Sequence, residues 1–199
     1  METLLQDSPQ AISRAATELR GGQVIAAPTE TVYGLMALWK SATARQEIYR
    51  LKHRPADKRL QMLAPDVETA IRAGLKPNDM LRKIAAAFWP GPLTVIVGAN
   101  DGDTIGLRIP NHPFILKLLR ELSEPLAATS ANLSGTPAAI TPSDAVANLD
   151  GRPALLIDGG KVTVTGGASS TVVSIVGGEL KILRQGPVTQ EDIQNVLDG

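Results

Sequence analysis

Ser170-Thr171-Val172-Val173-Ser174-Ile175-Val176-Gly177-Gly178-Glu179-Leu180-Lys181-Ile182-Leu183 reads as two short strands, 170–176 and 179–183, turned on Gly177-Gly178. Paired glycines supply the positive φ that a tight hairpin turn requires. A hairpin makes neighbouring strands antiparallel, so the sheet that holds it is not an all-parallel βα array. This stretch therefore predicts a mixed sheet, and the rest of the chain has to supply the other strands and the helices that cover them.

Working outward, a glycine-rich loop precedes the hairpin, and a last helix capped by Thr189 runs to about Leu197. Further strands are predicted at 24–26, 60–64, 93–97, 104–109, 126–128 and 154–157. Helices are predicted from Ser8-Pro9 to Gly21-Gly22, from Ser41 to the basic Lys52-His53-Arg54-Pro55, and over 66–73, 78–88, 111–122 and 143–149. Strands and helices interleave without a strict repeat, and no linker divides the chain. The expectation is one domain over 1–199, of α/β (α+β) class, with a twisted mixed sheet of about seven strands flanked by helices.

Composition narrows the chemistry. Twenty basic and twenty acidic residues give zero formal net charge, so no global field draws the chain onto nucleic acid. The absence of cysteine removes disulfides, thiolate nucleophiles and thiolate zinc sites. Only His53 and His112 are present, too few for a histidine-rich metal site, and His112 reads as a structural cap or surface residue. The first twenty residues carry Glu2, Asp7 and Glu18 where a signal peptide would be basic and then apolar, and no apolar run approaches membrane-spanning length. These features predict a cytoplasmic globular protein. The usual nucleotide, hydrolase and zinc-protease motifs are missing.

Several segments have both a structural and a functional reading. Pro28-Thr29-Glu30-Thr31-Val32-Tyr33-Gly34-Leu35 is either a strand exit or the floor of a binding site. Lys52, Arg54, Lys58 and Arg59 form either a solvated loop or a phosphate-binding one. Thr129-Ser130-Ala131-Asn132-Leu133-Ser134-Gly135 is a cap and turn, or a wrap of hydroxyls and amides around a phosphate. Arg108, between Leu107 and Ile109 in an apolar strand, needs an anionic partner from the protein or from a ligand, and Arg184 poses the same question. Together these residues predict one positive cleft at the strand ends, suited to a nucleoside triphosphate.

The segment 28–35, Lys52-x-Arg54-Pro55-x-x-Lys58, Pro90-Gly91-Pro92-Leu93-Thr94, Arg108-x-Pro110-x-His112, the segment 129–135, Ser170-Thr171-Val172-Val173 and Leu183-Arg184-Gln185-Gly186, taken in order, resemble the YrdC family. The resemblance runs from about residue 10 to residue 190. It implies a YrdC-like fold around a central positively charged cavity. It also implies a nucleotidyltransferase that joins L-threonine, bicarbonate and ATP into threonylcarbamoyl-adenylate for modifying the tRNA adenosine beside the anticodon. Lys52 and Arg54 are then the catalytic pair. Arg54, Lys58, Thr104, Ser130, Asn132 and Arg184 would contact ATP. Thr31, Arg108, Ala128 and Ser170 would contact threonine, with Glu30 and Tyr33 shaping the pocket. Mg²⁺ would arrive with ATP and have no protein ligand. Implied partners are the other proteins of threonylcarbamoyl transfer and weakly bound tRNA, with no membrane.

The chain departs from the family pattern at Met36, Arg59, Leu63 and Ala138. Leu63 replaces a common histidine near the amino acid, which opens the alternative of a paralogue adenylating another carbamate or carbamoyl compound. A non-enzymatic RNA-binding module is the other alternative, which zero net charge and an aromatic content of 3% disfavour.

Overall fold

A computed structural model describes residues 1–163 and 169–199, so the glycine-rich loop before the hairpin lies partly outside the described residues. Ten strands form one mixed sheet: β1 (Glu2–Leu5), β2 (Ile25–Pro28), β3 (Tyr33–Leu38), β4 (Gln61–Leu63), β5 (Leu93–Gly98), β6 (Thr104–Arg108), β7 (Leu126–Ser130), β8 (Leu155–Asp158), β9 (Thr171–Ser174) and β10 (Lys181–Arg184). Their order across the sheet is β1-β8-β2-β3-β7-β4-β6-β5-β9-β10. The expected hairpin is present, with β9 and β10 antiparallel and one register shift between Ile182 and Arg184. The β4·β6 and β5·β9 pairs are parallel, whereas β5·β6 and β4·β7 are antiparallel, as a mixed sheet requires.

The strand count corrects the expected seven to ten, because β1 and β3 lack the usual signal. β1 is an exposed edge strand whose pairing comes entirely from β8. β3 is buried at all six positions, and a strand covered on both faces shows no alternation of polar and apolar residues. It follows β2 through a four-residue turn closed by Thr29. The Thr29 Oγ1 donates to the Val32 carbonyl (2.7 Å) and accepts from the Thr31 and Val32 amides.

Helices α1 (Ala11–Arg20), α2 (Ala42–Lys52), α3 (Val67–Arg72), α4 (Asp79–Phe88), α5 (Pro113–Leu122), α6 (Asp144–Ala147) and α7 (Gln190–Asp198) follow the predicted places with changed ends. Ser41, Asp66, Asn78 and Thr189 cap their helices through side-chain oxygens, and Thr189 with Asp192 completes a capping box. Ser8-Pro9 instead forms a turn, since the Ser8 amide donates to Leu5 and its carbonyl accepts from Ala11. The helix predicted over 143–149 contracts to the four residues of α6.

The helices cover the sheet unevenly. On one face α1 and α5 pack over β2, β3, β7 and β8, with Leu19, Ile25, Met36, Leu118 and Leu155 at the centre. On the opposite face α2 covers the same half with Ile48 and Leu51, while α3, α4 and α7 cover the other half through Ile84, Val95, Leu107, Val173 and Ile193. Over β5, β6, β9 and the Gln61 end of β4 the first face carries no helix among the described residues. The candidate site occupies that quadrant.

Candidate active site

The uncovered quadrant is a cavity of about 310 Å³. Strand alternation builds its floor: Gln61 from β4, Thr94 and Ile96 from β5, Thr104, Gly106 and Arg108 from β6, Ala128 and Ser130 from β7, and Val172 from β9 with Ser170 just before it. Thr31, Val32, Arg54, Arg59 and Arg184 form its walls. Eight residues expected at the site therefore meet: Thr31, Arg54, Thr104, Arg108, Ala128, Ser130, Ser170 and Arg184. Among the described residues four arginines line the cavity, and no carboxylate or aromatic ring does. A larger hollow of about 600 Å³ lies beyond Arg59, between Trp39, Tyr49 and Asp101. It shares Arg59, Leu60 and Thr104 with the cavity but gathers none of the other expected residues, so the smaller hollow is the candidate site.

Arg108 is 3% exposed and lies 2.7 Å from the Glu30 carboxylate, while its Nη1 donates to Thr31 Oγ1 at 3.1 Å. The protein thus supplies the anionic partner that the sequence left open between carboxylate and ligand. The pair is close without hydrogen-bond alignment: both Glu30 oxygens and Arg108 Nε and Nη2 make no hydrogen bond. Burial lowers the Arg108 pKa and Glu30 opposes that shift. Thr31 passes its own proton to Thr29 Oγ1 at 2.9 Å, because the Thr29 proton already goes to Val32. His112 stands at the N-cap of α5 without a side-chain capping bond, and its pKa is lowered chiefly by burial. It caps α5 through its carbonyl, which accepts from the Leu116 amide, while its half-buried ring neighbours Glu30 and Arg108. Tyr33 holds the loop after β8, donating to the Gly160 carbonyl and accepting from the Gly159 amide, away from the cavity.

Lys52, Lys58 and Asn132 do not line the cavity. Lys52 is 1% exposed, and its ammonium donates to the carbonyls of Ser130 and Asn132. Burial first and Arg54 second pull its pKa down to about 8. It acts here as a brace for the chain leaving β7. Lys58 is exposed, and it is its carbonyl that is used, by Arg54 Nε (2.8 Å) and the Tyr49 hydroxyl (3.1 Å). The Asn132 amide is turned into its own loop, donating to the carbonyls of Leu133 and Thr136.

Arg54 also donates to the Arg59 carbonyl (2.7 Å) and to Thr129 Oγ1 (3.2 Å), so it folds the 54–60 loop onto β7. These bonds give Arg54 a structural part in the loop besides its place in the cavity wall. Burial lowers the Arg54 pKa, with Tyr49 and Asp57 opposing. Arg59, a departure from the family pattern, is tied to Asp103 and to the Thr104 carbonyl (3.2 Å). The other departures lie elsewhere: Leu63 and Met36 belong to the core under α1 and α5, and Ala138 does not reach the cavity. The Leu63 substitution is thus absorbed in packing.

Arg184 donates through Nε and Nη2 to the Ser170 carbonyl (3.1 and 2.8 Å), and through Nη2 to Ser170 Oγ (3.3 Å). Burial and the neighbouring Arg108 charge lower its pKa. The contact depends on Gly186: a Cβ there would meet the Thr171 nitrogen at 2.4 Å and the Ser169 oxygen at 2.6 Å, both backbone atoms. Sequence reasoning assigned no role to Gln61 or Thr94. Their signal was a polar residue at a floor position of an otherwise apolar strand. No cluster of three or more metal-capable side chains occurs among the described residues, and no described helix is long and apolar enough to cross a membrane.

Comparison with known proteins agrees with this geometry. The Sua5/YciO/YrdC family, described as "Telomere recombination", matches residues 17–186. A threonylcarbamoyl-AMP synthase of Bacillus subtilis is 36% identical over 98% of this chain and 59% of its own length. One from Vibrio cholerae is 33% identical over 74% of this chain and 85% of its own. The crystal structure of Pyrococcus abyssi Sua5 complexed with L-threonine superposes with a TM-score of 0.89 at 31% identity, covering 98% of this chain and 60% of that one. The chain thus spans about three fifths of the length of the Bacillus and Pyrococcus proteins.

Proposed function

This chain belongs to the Sua5/YciO/YrdC family, and from that membership we propose that it is an L-threonylcarbamoyladenylate synthase. In this reading residues 1–199 act as one unit in the cytoplasm. They join L-threonine, bicarbonate and ATP, release pyrophosphate, and pass threonylcarbamoyl-AMP to the proteins that modify tRNA. The observation that carries the reading is a cavity with four arginines and no carboxylate. A lining of that kind favours a ligand with several negative charges, and Arg54, Arg108 and Arg184, whose pKa values desolvation already lowers, gain from its arrival.

The chemistry asks for positioning and charge stabilisation and needs no protein nucleophile. Bicarbonate takes a proton from the threonine ammonium and loses water to become carbon dioxide. The freed amine adds to that carbon dioxide and loses a proton, giving a carbamate. A carbamate oxygen then forms a bond to the α-phosphorus as the bond to pyrophosphate breaks. Arg54 and Arg184 face the phosphates, and Ser130 and Thr104 offer hydroxyl and backbone groups to them. Arg108, steadied by Glu30 and Thr31, takes the amino acid carboxylate. Lys52 contributes by holding the Ser130 carbonyl in place. Mg²⁺ would arrive bound to the ATP phosphates and offset charge as pyrophosphate leaves.

The cavity has no aromatic lining on which bases could stack, so nothing here favours the RNA-binding alternative. Leu63, which motivated the paralogue alternative, is buried in the core. Purified protein given ATP, bicarbonate and threonine should release pyrophosphate and yield threonylcarbamoyl-AMP by mass spectrometry. Threonine giving no more product than serine would overturn the assignment.

A further inference from the structure

Four side chains from separate strand positions form a hydrogen-bonded line across the cavity floor. Arg184 reaches Ser170 Oγ at 3.3 Å, Ser170 Oγ lies 2.9 Å from Thr94 Oγ1, and Thr94 Oγ1 lies 3.0 Å from Gln61 Oε1. The line has a fixed polarity. A guanidinium only donates, so Ser170 Oγ accepts from Arg184 and sends its own proton to Thr94. Thr94 then sends its proton to Gln61, which must offer its carbonyl oxygen. The reverse assignment would leave the Ser170 proton without an acceptor in a site only 2% exposed.

The Gln61 –NH₂ group is what remains. Gln61 lines the cavity, and its Nε2 makes no hydrogen bond to any described residue and is not sealed from solvent. Gly106 leaves this part of the floor open. β6 lies between β4 and β5, and Thr94 reaches across it to Gln61 where Gly106 has no side chain; a Cβ there would touch the Thr94 methyl at an ordinary 3.5 Å. Gln61 stands opposite Ala128 and, by the Met62–Leu107 pairing, level with Gly106, so along the strands it lies on the floor between the Arg108 end and the end formed by Thr104 and Ser130.

We infer that Gln61 is a substrate-contacting residue whose amide, oriented by the Arg184–Ser170–Thr94 line, donates to a carbamate oxygen. The inference rests on the proposed synthase activity and extends it to the intermediate. A carbamate is an acceptor-only anion at its oxygens, which matches a two-donor amide. The carbamate joins the amino acid end to the phosphate end, and the amide lies between them. The Gln61 contact is made only after carboxylation, so it serves neither ATP nor threonine alone.

The test uses the purified full chain with Gln61→Leu, Gln61→Glu and Thr94→Val. For both Gln61 variants kcat/KM for bicarbonate should fall roughly 10- to 100-fold, the range for losing a hydrogen bond to a charged group. Calorimetric Kd values for ATP and for threonine without bicarbonate should stay within about threefold. Thr94→Val should cost less, and in Gln61→Leu/Thr94→Val it should add nothing to Gln61→Leu, because both changes act through one contact. Unchanged bicarbonate kinetics in both Gln61 variants would overturn the inference. Equal loosening of ATP or threonine would also overturn it, by placing the amide on that ligand, and so would multiplicative losses in the double variant. Lack of product from the wild-type protein would overturn the synthase activity itself, and the inference with it.

Discussion

The two faces of β5, β6 and β9 have opposite lives. Toward α3, α4 and α7 these strands present Leu93, Val95, Val97, Ile105, Leu107 and Val173, which merge into one apolar core. Toward the cavity the alternate positions are Thr94, Ile96, Thr104, Gly106, Arg108 and Val172, smaller or more polar as a group. One backbone carries both sets because successive strand residues point to opposite sides. The packed face supplies rigidity, and the open face spends that rigidity on holding hydroxyls, an amide and guanidinium groups at fixed places. Stability and ligand binding should therefore separate between neighbours one residue apart.

The strongest way to break this division is at its weak seam, where the open face has a buried charge of its own. Glu30→Ala should lower the unfolding free energy by about 3–5 kcal/mol in urea denaturation, because it leaves Arg108 buried without its counter-charge. An anionic ligand should restore part of that loss, seen as a larger ligand-induced rise in Tm than in wild type. Leu107→Ala, on the packed face, should cost about 2–5 kcal/mol with no such rescue, since a cavity in the core is indifferent to ligands. Gly106→Val is the sharpest contrast. Its Cβ meets only the ordinary contacts of Thr94 and Ile96, so stability should move by less than about 1 kcal/mol, while filling the floor weakens substrate binding at least tenfold by calorimetry.

The smallest effect is electrostatic. Lys52 titrates at about 8 in the fold against an ordinary 10.5, so between those values the unfolded chain binds more protons and stability rises with pH. Below about 8 both states carry the proton and the trend vanishes. Activity should move the other way above pH 8, as the uncharged amine holds the Ser130 and Asn132 carbonyls less firmly. Lys52→Arg should shift that alkaline limb upward in kcat/KM profiles while flattening the rise in Tm.

Much of this division was legible in the sequence. Alternation in 93–97 and 104–108 marks one core face and one polar face, and Ser41, Asp66, Asn78 and Thr189 announce helix starts by their chemistry. The hairpin at Gly177-Gly178 ruled out a purely parallel sheet. Other features had no local signal. The Glu30–Arg108 pair joins residues 78 positions apart, which no periodicity reveals. Lys52 was placed with the phosphate ligands for its charge, yet it sits four residues after Ile48 and one after Leu51, on the buried stripe of α2. That spacing was readable and was outweighed by the residue type. β3 stayed hidden because its six residues are covered on both sides.

Gly186 has a consequence for the tolerance of the chain to change. The strand carrying Arg184 leaves the sheet so close to β9 that backbone touches backbone where any side chain would begin. No rotamer or neighbouring side chain can yield to relieve that contact. A saturation scan should therefore score position 186 as intolerant as the arginines that line the cavity, although this glycine is not among the lining residues. Alanine there should displace Ser170 and Arg184 together, and the two ends of the line across the floor should be lost in a single step.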